Sequence, residues 1–262
     1  MRRLALVVLT LWLIAPMVPL AIWSLTQSWF FPDLLPAQWS LKSWRYVGSA
    51  ASGVLPSLGL TIALSGAVTA LSVALGLPAA RALGLYRFRG KAMVELLIFA
   101  PTLVPGIAVG MGLHSVFLSL GLTNSFAGVA LAHLIPTLPY TILILAGVFA
   151  NFDTAYEDQA RSLGAGRLTV LRHITLPAIL PGVITAALFA FLVSWSQYVL
   201  TLLIGGGRIV TLPLLLFNFT AAGRNDIAGA IAMIYILPGV LILMITARHL
   251  TGRNAAIALG KP

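Results

Sequence analysis

Long apolar runs separated by short, mostly basic stretches dominate the pattern of this sequence. Each run approaches or exceeds about 20 residues, the length that a helix needs to cross the hydrocarbon core of a membrane. The runs are continuous rather than alternating, which favours helices over the strands of a membrane barrel. Six membrane helices are therefore predicted, over residues 4–25, 57–80, 92–112, 126–150, 178–204 and 227–247.

The composition supports an all-α integral membrane protein that forms a single transmembrane domain over residues 1–262. Hydrophobic residues make up 60% of the chain and charged residues only 8%, with a mean hydropathy of +1.01. That is too little charge to cover the surface of a water-soluble domain of this size. The first run follows Arg2-Arg3, as in a signal peptide, but it is too long and lacks a small-residue cleavage site, so we expect it to be retained. The chain has no cysteine, which excludes a disulfide framework.

The basic residues predict the orientation of the chain in the membrane, because they concentrate on the cytoplasmic side. If both termini are cytoplasmic, twelve of the 16 Lys and Arg residues are inside: Arg2, Arg3, Arg81, Arg87, Arg89, Lys91, Arg161, Arg167, Arg172, Arg248, Arg253 and Lys261. The other four, Lys42, Arg45, Arg208 and Arg224, are then outside. The net charge of +10 is spread between the apolar runs, so no basic patch for nucleic acid is predicted.

The longest polar interruption in the C-terminal two-thirds of the chain is the segment 151–177, which this orientation places in the cytoplasm. Thr154-x-x-Glu157 has the pattern of a capping box, in which both side chains accept from free N–H groups at a helix start. The helix is expected to end at Gly164, with glycine as a left-handed cap, and a second helix to start near Arg167. A compact helix-turn-helix between two membrane helices is typical of a docking element for a partner protein.

The same segment carries a family motif. Asp158-Gln159-Ala160, then Gly164, then Ile174-x-Leu176-Pro177 resembles the EAA loop of binding-protein-dependent ABC importer permeases, E-A-A-x3-G-x9-I-x-L-P. Asp158 stands for the usual Glu and Gln159 for the first Ala, while the spacing and the other positions hold. The resemblance implies a set of ATPase-coupling residues: Glu157, Asp158, Gln159, Ala160, Arg161, Gly164, Ile174, Leu176 and Pro177.

The resemblance also implies the fold, the partners and the place of action. The fold is that of a type I ABC importer permease, in the bacterial inner (cytoplasmic) membrane. The partners are an ABC ATPase dimer, a second and usually non-identical permease, a periplasmic or lipid-anchored substrate-binding protein, and membrane lipids. The chain has no G-x4-G-K-[S/T] loop, so no cofactor is expected on it and ATP-Mg would bind to the partner ATPase. The similarity is to permeases for polyamines, ferric iron, thiamine or aminoethylphosphonate.

A polar cluster in the fifth run predicts part of the translocation pathway: Ser194, Trp195, Ser196, Gln197 and Tyr198. These side chains are costly in lipid, so they should face the protein interior or a water-filled path. His133, in the fourth run, either lines this path or hydrogen-bonds a neighbouring helix. No metal site is predicted, because the histidines lack ligand spacing.

Three interpretations compete with an importer permease. An ion-coupled secondary transporter is the main alternative, and it should show inverted repeats and several intramembrane acidic residues. We find no convincing repeat, and Glu95 is the one acidic residue within the predicted spans. A membrane enzyme would need a nucleophile or a metal cluster, and a channel would need a filter. On the outer side, the aromatic residues of the segment 27–55 predict an interfacial belt or a contact with a binding protein.

Overall fold

The computed structural model of the chain is mostly helical. It describes residues 8, 11, 12, 14–29 and 32–258, with side chains described as far as residue 241. The helices are α1 (Met17–Ser24), α2 (Lys42–Val47), α3 (Val54–Leu85), α4 (Lys91–Leu103), α5 (Gly106–Ser119), α6 (Phe126–Ala150), α7 (Ala155–Ser162), α8 (Arg167–Val170), α9 (Leu176–Trp195), α10 (Val199–Gly205), α11 (Leu212–Ala221) and α12 (Asn225–Ala258). A short antiparallel pair, β1 (Thr26–Ser28) with β2 (Gln38–Trp39), follows α1.

Several helices have the length and apolar composition to cross a membrane. Within the described residues these are α3, α6 and the continuous stretch Arg167–Trp195, which runs from α8 through a π-helical turn (Leu171–Thr175) into α9. Helices α4 and α5 can form a fourth span if the bent pair is counted as one. An all-α protein with three or four apolar spans is therefore established, whereas six spans and their orientation stay predictions. The predicted first span, 4–25, lies partly outside the described residues.

Two of the predicted spans are interrupted. The expected helix over 92–112 breaks at Val104, and its two halves are bent by 99°. Val104 is extended (φ −88°, ψ 135°) because the ring of Pro105 disfavours a helical conformation in the preceding residue. The expected helix over 178–204 stops at Trp195 and resumes at Val199 as α10.

The second helix of the predicted helix-turn-helix 151–177 begins at Arg167, as expected, but it does not end within that segment. It continues through Leu176-Pro177 into the predicted fifth span. A proline near the start of α9 is tolerated there, because the π-helical turn before it alters the hydrogen-bond register. The end of the segment 151–177 and the predicted fifth span are thus parts of one helix of 29 residues.

The contacts divide the chain into two units. One combines the described residues up to Thr61 with Val210–Leu241. In this unit Leu212 N donates to the Thr61 hydroxyl at 2.8 Å, and the Ser43 hydroxyl donates to Asp226 at 3.1 Å. Both bonds join segments that are far apart in the sequence.

The other unit contains Ile62–Ile209 and is built around α6. One buried apolar cluster joins α3, α5, α6 and α10, and another joins α3, α6 and α9. Glycine permits close approach of the helices. A Cβ on Gly84 of α3 would lie 2.7 Å from the carbonyl oxygen of Ala146 in α6, so no larger residue fits without a shift.

Candidate coupling surface and pathway

Helix α7 is capped by a side chain at its N-terminus and by backbone hydrogen bonds at its C-terminus. The predicted capping box is wrong: the Thr154 side chain makes no capping bond, and Asp153 Oδ1 instead accepts from Ala155 N at 2.9 Å. The predicted end is confirmed, because Gly164 has φ +86°. Its N–H donates to the Arg161 carbonyl and that of Ala165 to the Ala160 carbonyl, the pattern of a Schellman cap.

Glu157 points into the protein rather than towards the helix start. Its side chain is only 2% exposed. The two terminal nitrogens of Arg81, on α3, donate to different carboxylate oxygens at 2.9 and 2.6 Å. The Thr175 hydroxyl, in the π-helical turn, donates to Oε1 at 2.5 Å, and Arg161 donates to Oε2 at 3.2 Å. One carboxylate therefore joins α3, α7 and the helix that leads into α9.

This cluster keeps Glu157 ionised. The hydrogen bonds from Arg81 lower the pKa of Glu157 most strongly; burial acts in the opposite direction, and the Thr175 hydroxyl and the Arg161 charge lower it further. The Arg81 guanidinium also lies 5.7 Å from the centre of the Phe149 ring, a cation–π arrangement. A buried carboxylate with this many donors is favourable only while its partners remain in place.

The opposite side of α7 is exposed and borders a groove of about 620 Å³. Tyr156 is 60% exposed and Leu163 is 89% exposed, which is unusual for such large apolar side chains outside a membrane. We call this the coupling groove. It is lined by Phe152, Tyr156, Gln159, Ala160, Leu163, His173, Ile174, Pro177 and Ala178.

The predicted coupling residues thus separate into two groups. Gln159, Ala160, Ile174 and Pro177 line the groove, and the exposed Asp158 pairs with Arg161 at 3.3 Å. Glu157 is enclosed, and Leu176 packs against the buried cluster of α3, α6 and α9. Sequence reasoning missed Arg81 and Thr175. The available signal was an arginine near the end of an apolar helix, which requires an acidic partner or water.

His133 lies at the centre of a buried hydrogen-bond network. Its ring is completely buried, with Nδ1 at 2.9 Å from the Ser194 hydroxyl and Nε2 at 2.9 Å from the Thr201 hydroxyl. Thr201 donates its proton to the Gln197 carbonyl. Thr201 therefore accepts from Nε2–H, and Ser194 donates to Nδ1. The hydrogen bonds join α6 to both α9 and α10, across the break between them.

The other residues of the predicted pathway cluster have different surroundings. Trp195 is buried and stacks on Phe191 with ring centres 5.7 Å apart, Ser196 is exposed, and Tyr198 is half-buried. Gln197 lines a cavity next to α4 and α5. Among the described residues, no group of three His, Cys, Asp or Glu side chains is placed to hold a metal ion.

These features describe a helical membrane protein with broken apolar spans and a short helix, α7, that is attached to its neighbours on one side and exposed on the other. The family of "binding-protein-dependent transport system inner membrane components" matches residues 72–255, most of the chain. The chain belongs to this family, and it is a non-catalytic transport subunit, the permease of an ABC importer.

Relatives with assigned functions include two polyamine permeases. The chain is 31% identical over 169 residues to the spermidine/putrescine transport system permease protein PotC of Haemophilus influenzae, covering 64% of this chain and 65% of that protein. It is 29% identical over 250 residues to the putrescine transport system permease protein PotI of Escherichia coli K12, covering 92% and 87%. The chain thus spans just under two thirds of the first relative and most of the second.

Solved structures share the fold at low sequence identity. A bacterial ABC transporter that imports the acidic polysaccharide alginate matches with a TM-score of 0.73 and 19% identity, over 94% of both chains. The MetNI methionine ABC transporter in an inward-facing form matches with a TM-score of 0.59 and 16% identity, over 76% of this chain and 94% of that chain. These similarities concern the fold alone.

Proposed function

We propose that this chain is one of two unlike permease subunits of an ATP-driven importer in the bacterial inner membrane. It forms half of the translocation pathway and receives the motion of a separate ATPase dimer through α7. The solute is small, of the polyamine, thiamine, ferric iron or aminoethylphosphonate kind. A periplasmic or lipid-anchored binding protein delivers it to the outer face.

The observation that carries this proposal is the two-sided arrangement of α7. Its inner side is attached to α3 and to the start of α9 through Glu157, and its outer side offers Tyr156 and Leu163 to a partner. A helix that contacts a partner on one side and two spans on the other can transmit a rigid-body movement. The excess of basic residues in this part of the chain supports a cytoplasmic location, where an ATPase operates.

The chain and its partner ATPase are proposed to have different roles. The chain itself is proposed to bind no nucleotide, because it lacks the glycine-rich loop and the lysine that hold phosphates; ATP-Mg belongs to the partner. Polyamine transport by PotC and PotI supports a small organic solute. A pair of unlike permeases is proposed from the resemblance to importers that use two different membrane subunits.

The decisive experiment co-expresses the chain with the products of its neighbouring genes and tests whether an ATPase co-purifies with the detergent-solubilised chain. Leu163→Asp places a charge in the coupling groove and should abolish recovery of the ATPase. Leu168→Asp is the matched control, because Leu168 is also exposed (59%) but does not line the groove. Equal loss in both variants would contradict docking in the groove, and a stable chain recovered without any ATPase would favour an ion-coupled secondary transporter.

A further inference from the structure

Two interrupted helices meet at one small cavity in the unit built around α6. Helices α4 and α5 are separated at Val104, and α9 and α10 are separated over 196–198. Backbone that leaves a helix at membrane depth is tolerated where it is buried in protein or lines an aqueous cavity. The cavity has a volume of about 200 Å³ and is lined by Pro101, Thr102, Val104, Gly106, Val109, Ile135, Pro136, Tyr140, Gln197 and Leu200.

Three lining residues carry polar side chains. The Thr102 hydroxyl donates to the Phe99 carbonyl at 2.7 Å, so its oxygen can accept a further bond. The Gln197 carboxamide and the Tyr140 hydroxyl make no hydrogen bond to any other residue that the structure describes. Gln197 is half-buried and Tyr140 is 40% exposed, so both groups are open to water or to a solute as a hydrogen-bond partner.

The position of Gln197 is held by two histidines. His133 bonds to Thr201, which in turn donates to the Gln197 carbonyl at 3.1 Å. His114 Nδ1 lies 2.8 Å from the Leu203 carbonyl and thereby attaches α5 to α10. Because α10 is fixed on both sides, the Gln197 side chain is presented from a preorganised backbone rather than from a mobile loop.

No charged side chain lines this cavity. The six acidic residues of the chain are Asp33, Glu95, Asp153, Glu157, Asp158 and Asp226, and none of them lines it. An ammonium group placed here would have no carboxylate from this chain as a counter-charge, and an unpaired charge at membrane depth is strongly disfavoured. Amide and hydroxyl groups instead offer donors and acceptors to an uncharged partner.

We propose that this cavity binds an uncharged hydrogen-bonding group of the transported solute, such as a hydroxyl, a carbonyl or an amide. The inference rests on the proposed transport function and adds the chemistry of one contact point. Gln197 supplies a donor and an acceptor, Tyr140 a hydroxyl, and Thr102 an acceptor. If the solute also carries positive charges, the second permease must supply their counter-charges.

The absence of cysteine from the chain allows a direct test with thiol reagents. Thr102→Cys is introduced into the complete chain in membrane vesicles and treated with three methanethiosulfonates: neutral hydroxyethyl, cationic trimethylammonium-ethyl and anionic sulfonatoethyl. Each rate is divided by the rate with a free thiol in solution. The neutral reagent is expected to react at least about tenfold faster than the cation, because the cavity offers no counter-charge.

Two further variants make the result specific. Gln197→Glu in the Thr102→Cys background should raise the rate of the cation relative to the neutral reagent, since both positions line the same cavity. Leu131→Cys is a control on α6: Leu131 is exposed (42%) and lies on the opposite face of that helix from Tyr140, nine residues away. In the Leu131→Cys variant, adding Gln197→Glu should leave the rate of the cationic reagent relative to the neutral reagent unchanged.

Two outcomes would overturn the inference. One is a normalised rate for the cation that equals or exceeds that of the neutral reagent, and the other is failure of all three reagents to modify Cys at position 102. ATPase recovery from the same vesicles separates this result from the proposed function. If either labelling outcome occurs while the ATPase still co-purifies with the chain, only the inference of an uncharged binding site is overturned. If no ATPase co-purifies with the chain, the importer proposal itself is overturned.

Discussion

Arg81 and Glu157 form a two-pronged ion pair, in which each terminal guanidinium nitrogen donates to a different carboxylate oxygen, at 2.9 and 2.6 Å. The two residues are 76 positions apart in the sequence. This pair attaches α7 to the C-terminal part of α3. If α7 receives the motion of an ATPase, as we propose, α3 is moved through this pair as well as α9 through the chain itself.

The first prediction concerns this ion pair. Arg81→Met leaves the Glu157 carboxylate enclosed without its principal partner. Loss of one partner from a fully buried pair costs about 3–5 kcal/mol, and the partial exposure of Arg81 (28%) reduces our expectation to about 2 kcal/mol. Thermal unfolding of the purified chain in detergent measures the loss. Arg161→Met is the control, because Arg161 is half exposed and its loss should cost less than about 1 kcal/mol.

The double variant Arg81→Met/Glu157→Met gives a second measurement on the same contact. Replacing both charges by apolar groups removes the unpaired carboxylate, so much of the lost stability should return. Coupling should not return, because the directional contact between α7 and α3 is gone. ATPase stimulation by the binding protein reports coupling, and normal stimulation in the stable double variant would contradict a role for this pair in transmission.

The second prediction concerns pH. Because its partners lower the pKa of Glu157 in the folded chain, this residue contributes stability above its unfolded pKa, which is about 4.3. That contribution is lost as the pH falls through the lower folded pKa. The stability difference between the native chain and Glu157→Gln should thus be constant from neutral pH to about pH 5 and shrink below about pH 4. A difference that shrinks above pH 6 would show that another group titrates.

The third prediction concerns the turn after α7. Gly164→Ala forces a Cβ into a left-handed conformation (φ +86°) and should cost about 1–2 kcal/mol. Gly166→Ala is matched to it, because Gly166 has φ −70° and open space around its Cα. We expect this control to unfold at the temperature of the native chain and to recover the ATPase equally well. A similar loss in both variants would contradict the importance of the Gly164 conformation.

The fourth prediction concerns the buried histidine. His133→Ala removes the ring that accepts from the buried Ser194 hydroxyl, at a cost of about 1–3 kcal/mol. Thr201 loses its donor but keeps its bond to the Gln197 carbonyl. A lower unfolding temperature is expected, together with faster proteolysis next to α10. His173→Ala removes an exposed histidine of the same kind and should leave both properties unchanged. Unchanged stability of the His133 variant would indicate that water replaces the ring.

Some of these elements follow from the sequence by local rules. The bounds of α6 agree with the predicted span 126–150, because Ser125 caps the start of an uninterrupted apolar run and Asn151 follows its end. Gly164 is likewise recognisable as a helix stop. The restriction on residues before proline also predicts the break at Val104, whereas the length of the apolar run alone predicts a single span over 92–112.

Other elements depend on contacts that no local pattern contains. Thr154 and Glu157 have the spacing of a capping box, yet Glu157 bonds to Arg81 and Thr175. For the Glu157 carboxylate, a two-pronged ion pair with Arg81 is more favourable than a single bond to a backbone N–H. The start of α7 is capped instead by the Asp153 side chain. The partners of His133 also lie 61 and 68 residues away, so only the tertiary structure identifies them.

The π-helical turn at Leu171–Thr175 determines the direction in which each later side chain of the helix points about the helix axis. Each residue of an α-helix advances the direction of the side chains by about 100°. Removal of one residue from this turn would therefore rotate α9 by roughly that angle relative to α7. The Ser194 hydroxyl would then point away from His133 even though no residue near either had changed. The length of this π-helical turn is thus a constraint on a hydrogen bond at the other end of the helix.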